Sequence, residues 1–218
     1  MVSMVKDSIT QEDFARIFNS NRFKRELRKS GEITFDTGYE TTFNTYLSVE
    51  NGKISVHPFK IGSTSSTEVR HFDEPDDHYV DYPTIVGHHF HPGFGSGHEI
   101  CPSREDLGVG WILRYEWAEK KGLYVLPLQT IGMIDDKKNI DLLIIQDKEL
   151  ANPLGNGFKY RDLDDLFGKN TPRPENVRDN LNASGYYNAV LTRLSGGKYP
   201  EGFFEQLKVF EHGVRKIK

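Results

Sequence analysis

The stretch Thr84-Ile85-Val86-Gly87-His88-His89-Phe90-His91-Pro92-Gly93-Phe94-Gly95 decides how this chain is read. Its first four residues are a short apolar run that suits a buried strand. The histidines continue that strand until Pro92 and the glycines end it. Side chains alternate faces along a strand. His89 and His91 therefore point one way, and His88 and Phe90 point the other. That geometry makes His89 and His91 a candidate ligand pair and sets His88 aside. Downstream, Pro102-Ser103-Arg104-Glu105-Asp106-Leu107 reads as the start of a helix. Ser103 is a strong N-cap there, and Asp106 sits at the third helical position, where the helix dipole favours a carboxylate. Two imidazoles and one carboxylate are three of the four groups around a catalytic zinc, with the fourth position left for water. The plain alternative for Ser103 and Asp106 is a helix cap alone. One turn can do both.

The flanking sequence supplies a mixed scaffold. Residues 8–30 are expected to be helical, capped by Ser8 with Gln11 or by Thr10 with Asp13. Phe14, Ile17 and Phe18 share one face, Asn19-Ser20-Asn21 can split the helix, and Gly31 is the expected stop. Strands are expected over 32–60, with Phe43, Thr45 and Leu47 on one face. Asn51-Gly52 is a hairpin turn signal, with Ile54, Val56 and Pro58 on the return strand. Residues 62–82 form a polar loop, densest in charge at Asp73-Glu74-Pro75-Asp76-Asp77. Ser103 to Lys120 is expected to be helical, with Trp111, Ile112, Tyr115 and Ala118 on one face. Leu123–Ile134 and Ile140–Ile145 read as a strand pair joined at Asp135-Asp136-Lys137-Lys138. Beyond residue 150, Asn152–Gly157 and Thr171–Pro174 are breaks, and helices are expected near 184–194 and 201–213. The fold class is thus mixed α/β (α+β), a β-sheet flanked by helices, with a core domain over 1–150 and a helical C-terminal extension over 151–218.

Bulk properties exclude several classes. No run approaches the roughly 20 apolar residues of a membrane span. Met1-Val2-Ser3-Met4-Val5-Lys6-Asp7 does not resemble a signal peptide. A lone cysteine, Cys101, precludes an intramolecular disulfide and suits a reducing cytoplasm. With a net charge of −4, nothing calls for nucleic acid or an anionic membrane as a partner. The sequon Asn182-Ala183-Ser184 is then a chance match.

The run from Ile85 to Gly95 resembles the strand and loop of the JAMM (MPN+, JAB1/Mov34) zinc metalloproteases. Pro102–Leu107 resembles the matching segment of their bacterial RadC-type branch. The family signature is an upstream Glu, then H-x-H-P, then S-x-x-D, and the resemblance spans roughly residues 30–147. It implies a JAMM/MPN-like sheet flanked by helices, a Zn²⁺ held by His89, His91 and Asp106, and Glu40 as general base, with Glu32 as the alternative acid. It implies that the Ser103 hydroxyl steadies the oxyanion. It also implies a protein or peptide substrate, ubiquitin-like conjugates among them, cleaved at an amide or isopeptide bond. One departure stands out. Fourteen residues, Pro92 through Glu105, separate His91 from Asp106, four more than in the family pattern. Glu99, Glu105 and His98 are competing ligands, and the P-S-R-E-D context favours Asp106. Three rival readings are a non-catalytic MPN-like interaction module, a cupin, and a purely structural histidine cluster with no metal. The cupin reading would use His89, His91 and Glu99 in a nearly all-β fold without the helix after Ser103.

Overall fold

The computed structural model describes residues 8–48, 52–62, 83–93, 100, 102, 106–107, 122–148, 174–210 and 213–216. Helix α1 (Gln11–Asn19) opens on the Thr10–Asp13 pair: the Asp13 carboxylate accepts the Thr10 backbone N–H at 2.7 Å. Ser20 is extended, ends α1 and caps α2 (Asn21–Thr37), its hydroxyl accepting the Phe23 N–H at 3.2 Å. The expected split at Asn19–Asn21 is therefore present. The expected stop at Gly31 is not. α2 continues to Thr37 and ends at Gly38, whose φ of 71° is the left-handed cap that glycine provides without strain. Gly31 serves close packing instead: a Cβ there would stand 2.9 Å from Phe90 Cζ.

Residues 32–37, expected as strand, are thus helix, and β1 begins at Thr41 (Thr41–Leu47). It forms a hairpin with β2 (Ile54–Val56), Leu47 opposite Ile54 and Thr45 opposite Val56. Gly52 takes a φ of 66° in the turn. Pro58 lies outside β2, and a short β3 (Lys60–Ile61) returns to pair with Thr41 and Thr42. β4 (Thr84–Phe90) is buried along its whole length. It pairs antiparallel with β1 on one side and parallel with β6 (Leu128–Ile134) on the other. Leu123–Val125, expected to belong to that strand, is a separate β5. Its break from β6 falls at Leu126-Pro127, where the proline has no N–H to give a ladder.

β7 (Ile140–Asp147) follows β6 in the expected hairpin, with Asp135 Oδ1 accepting the Asn139 N–H at 2.8 Å. The C-terminal segment departs most from expectation. Helix α3 (Pro174–Ala183) ends near Gly185, at φ 80°, and 187–194 is a strand, β8 (Tyr187–Leu194), not a helix. Its alternation of buried Tyr187 and Ala189 against Val190, Thr192 and Leu194 is a period-two pattern. β8 pairs with β7 from Asp147↔Tyr187 to Ile140↔Leu194, across the boundary expected at 150. The helix expected over 201–213 shortens to α4 (Phe203–Gln206) and a 3₁₀ turn at Leu207–Val209. β9 (Val214–Lys216) then pairs with β5. The described part of 151–218 is thus strand and helix within the domain, not a helical extension. The polar loop over 63–82, the breaks at 152–157 and 171–173, and most of the 103–120 helix lie outside the described residues.

The main sheet runs β2-β1-β4-β6-β7-β8, with β3 also on β1. Alternate residues of β7 go to opposite sides. Leu142 and Ile144 join Phe14, Phe18, Phe23 and Leu27 of α1 and α2. Leu143 and Ile145 join Leu107 together with Val177 and Leu181 of α3. The fold is mixed α/β: helices on both faces of a mixed sheet, unlike the all-β cupin alternative. Phe90 packs over Gly31 and Gly132, where an added Cβ would lie 2.6 Å from Phe90 Cε1. Gly132→Ala is therefore expected to cost about 1–3 kcal/mol by overpacking, seen as a lower urea midpoint. Adding Phe90→Leu should return part of the loss, and an unchanged midpoint in Gly132→Ala would contradict this packing.

Candidate metal centre

β4 carries the histidines because its register is held on both sides. His89 lies opposite Thr42 of β1 and beside Ile131 of β6. The ladder extends one residue past the strand, the His91 N–H donating to Gly132 O at 3.0 Å. His91 therefore keeps the alternation and shares the face of His89. Their Nε2 atoms stand 2.9 Å apart. Asp106 reaches the same point from a helical turn, its Oδ1 3.3 Å from His89 Nε2 and its Oδ2 3.6 Å from His91 Nε2.

The longer loop does not spoil this convergence. Ile100 is buried in the same cluster as Leu107, Ile131 and Leu143, and Pro102 is buried as well. The chain is thus pinned to the core at Ile100 and again at Leu107, on either side of the segment that presents Asp106.

The group is dry. His89 is 3% exposed and Asp106 4%. The His91 side chain, at 19%, is its most open member. Burial by itself raises the pKa of Asp106. The charge of His89 and hydrogen bonds from His89 and His91 outweigh it and hold the carboxyl well below the usual range. Asp106 is therefore an anion at neutral pH. The two imidazole nitrogens at 2.9 Å are at hydrogen-bond distance, one donating and the other accepting according to tautomer, and with both as acceptors they present two lone pairs to one point.

These three residues form a group that can hold a metal ion, their ligand atoms all within 4.8 Å of one another. A tetrahedral zinc with bonds of about 2.0–2.1 Å would set its ligand atoms about 3.3–3.4 Å apart. The observed edges of 2.9, 3.3 and 3.6 Å bracket that value. The donor set fits such an ion.

His88 takes the opposite face. It is fully buried, with its ring 4.6 Å from Phe43 and 4.8 Å from Phe90, and Nδ1 hydrogen-bonded to Thr130 Oγ1. Glu40 is half-buried one residue before β1. Thr42 pairs with His89 and Thr41 with Phe90; Glu40 is the residue just before this ladder, where continued strand alternation would put it on the face of Thr42. The Glu40 carbonyl accepts the Gly62 N–H at 2.8 Å. Glu32 lies in α2, on the other side of the sheet. Ser103, His98, Glu99 and Glu105 lie outside the described residues. Sequence reasoning missed Thr42, whose hydroxyl donates to His88 O at 2.7 Å and ties β1 to the histidine backbone. Only the cross-strand register could have pointed to it.

Removing any one of His89, His91 or Asp106 by alanine should weaken metal binding by more than the roughly 10–100-fold that a supporting residue costs. His88→Ala should retain the metal and instead lose about 2–4 kcal/mol of stability. Metal titration and urea unfolding of the four variants check the contrast, and metal loss confined to His88→Ala would reverse the assignment. No family model matches this chain and no curated protein matches it.

Proposed function

We propose that this protein is a zinc-dependent hydrolase of the JAMM type that cleaves an amide bond, peptide or isopeptide, in a protein or peptide substrate. The observation that carries the reading is the buried His89–His91–Asp106 group; strand alternation from Thr42, which pairs with His89, makes Glu40 the candidate acid beside it. The two imidazoles and the carboxylate suit zinc, and their net charge of −1 leaves the bound ion electrophilic. A zinc ion here supplies Lewis acidity toward water and toward a substrate carbonyl.

The chain's own residues do the remainder. His89, His91 and Asp106 hold the ion, and their burial excludes competing water. Asp106, anionic throughout the neutral range, offsets the ion's charge. Glu40 takes a proton from the attacking water at its carboxylate and delivers it to the leaving nitrogen, so that the amine departs neutral. The Ser103 hydroxyl, in the role that the motif implies, donates to the oxygen that gains charge as the carbonyl becomes tetrahedral. His91, the most open of the three, marks the side from which a substrate carbonyl reaches the centre.

The test uses zinc-loaded protein with a panel of fluorogenic peptide amides and lysine ε-isopeptides. Hydrolysis is expected, is abolished by a chelator, and returns with added zinc. Glu40→Gln should keep its zinc and lose about 10²–10⁴ in kcat. A fully zinc-loaded wild type that cleaves none of these bonds would falsify the hydrolase reading and leave a non-catalytic interaction module. Full activity in zinc-loaded Glu40→Gln would assign the base to another acid.

A further inference from the structure

The connection from α2 to β1 is only Gly38-Tyr39-Glu40, so whatever fixes its two ends also fixes Glu40. Those ends meet in a cluster of buried hydroxyls on the side of the sheet away from the metal centre. Thr41, the first residue of β1, is 0% exposed, as is Ser30 of α2, and Thr34 of α2 is 1% exposed. Thr41 Oγ1 donates to the Ser30 carbonyl at 3.1 Å. The same oxygen lies 2.5 Å from Ser30 Oγ and 2.8 Å from Thr34 Oγ1.

A hydroxyl has one proton and two acceptor lone pairs. With its own proton on the Ser30 carbonyl, Thr41 Oγ1 accepts from both helix hydroxyls, and its capacity is filled. Ser30 and Thr34 are one helical turn apart, which brings both to the same point on the strand. Thr34 also closes the helix, because its carbonyl accepts the Gly38 N–H at 2.9 Å. One residue therefore sets where α2 stops and where β1 starts.

The consequence for Glu40 follows from alternation. With Thr41 locked toward α2, its neighbours Glu40 and Thr42 must face the metal side. The Gly62 N–H then holds the Glu40 carbonyl from the β3 side. We propose that Thr41, gripped by Ser30 and Thr34, is a positioning residue that aims Glu40 at the metal centre. This rests on the reading of Glu40 as general base. A purely structural role would make the cluster a stabilising core contact with no bearing on turnover, and the test separates the two.

Thr41→Val keeps the β-branched shape that suits a strand and removes only the hydroxyl. Thr41→Ser keeps the hydroxyl. In zinc-loaded protein, Thr41→Val should retain full zinc stoichiometry. Its Gly62 amide, the reporter of Glu40's backbone, should exchange at least roughly tenfold faster, with β6 and β7 amides unchanged. On whichever peptide amide the wild type cleaves, kcat should fall about 10- to 100-fold with KM unchanged. Thr41→Ser should restore both readouts, and Thr41→Val should add nothing in a Glu40→Gln background. If Thr41→Val fails to fold, Ser30→Ala removes one of the two donors and should move the same readouts in the same direction. Wild-type exchange at Gly62 overturns the clamp. Wild-type kcat in Thr41→Val, alongside an inactive Glu40→Gln, overturns its catalytic consequence. An inactive wild type defeats the hydrolase reading instead, and the exchange measurement still decides the clamp.

Discussion

A strand buried on both faces must satisfy two different environments with one period-two pattern, and β4 bears that constraint here. Hydrogen bonding to β1 and β6 on either side leaves it no freedom of register. A slip of one residue would place His89 in the aromatic core and Phe90 at the metal centre. The close fit of Phe90 over Gly31 and Gly132 opposes that slip, since no other ring position on β4 meets two glycines. The face that carries His89 and His91 is thus held in place by packing on the opposite face. The same logic recurs one strand away, where Thr41 faces α2 and Thr42, its neighbour, pairs with His89.

The centre itself is electrostatically expensive. A carboxylate that is 4% exposed is disfavoured by desolvation and persists through its imidazole neighbours. Those neighbours bring their Nε2 atoms to 2.9 Å of each other. A divalent cation bound there would compensate the anion and take the place of the proton the two nitrogens share. Structural histidine clusters seldom need such an arrangement, because a core histidine can be satisfied by one hydroxyl and aromatic packing. His88, bonded to Thr130 and enclosed by Phe43 and Phe90, shows that second solution one residue away.

The C-terminal segment matters to the centre through the layer it completes. β8 extends the sheet beyond β7, and α3 packs Val177 and Leu181 into the cluster that contains Ile100 and Leu107. That cluster anchors the turn presenting Asp106. Residues distant in sequence therefore pack into the layer from which Asp106 is presented.

Local pattern alone was enough to choose His89 and His91 over His88, because strand alternation is a property of the backbone and needs no partner. The split of the first helix at Ser20 and the β1–β2 and β6–β7 hairpins were equally legible, since caps and turns are local chemistry. Where two local signals competed, tertiary contacts decided. Gly31 offered a helix stop, and the fit of Phe90 against it turned it into a packing position, with Gly38 ending the helix instead. Residues 187–194 carry a modest alternation that reads as helix until β7 offers eight paired positions for it. The sequence by itself thus determined which donors face together along β4. Only the tertiary structure brought Asp106 to them and put Glu32 in the helix on the other face of the sheet, because distance across a fold depends on register and layer order, which no local pattern encodes.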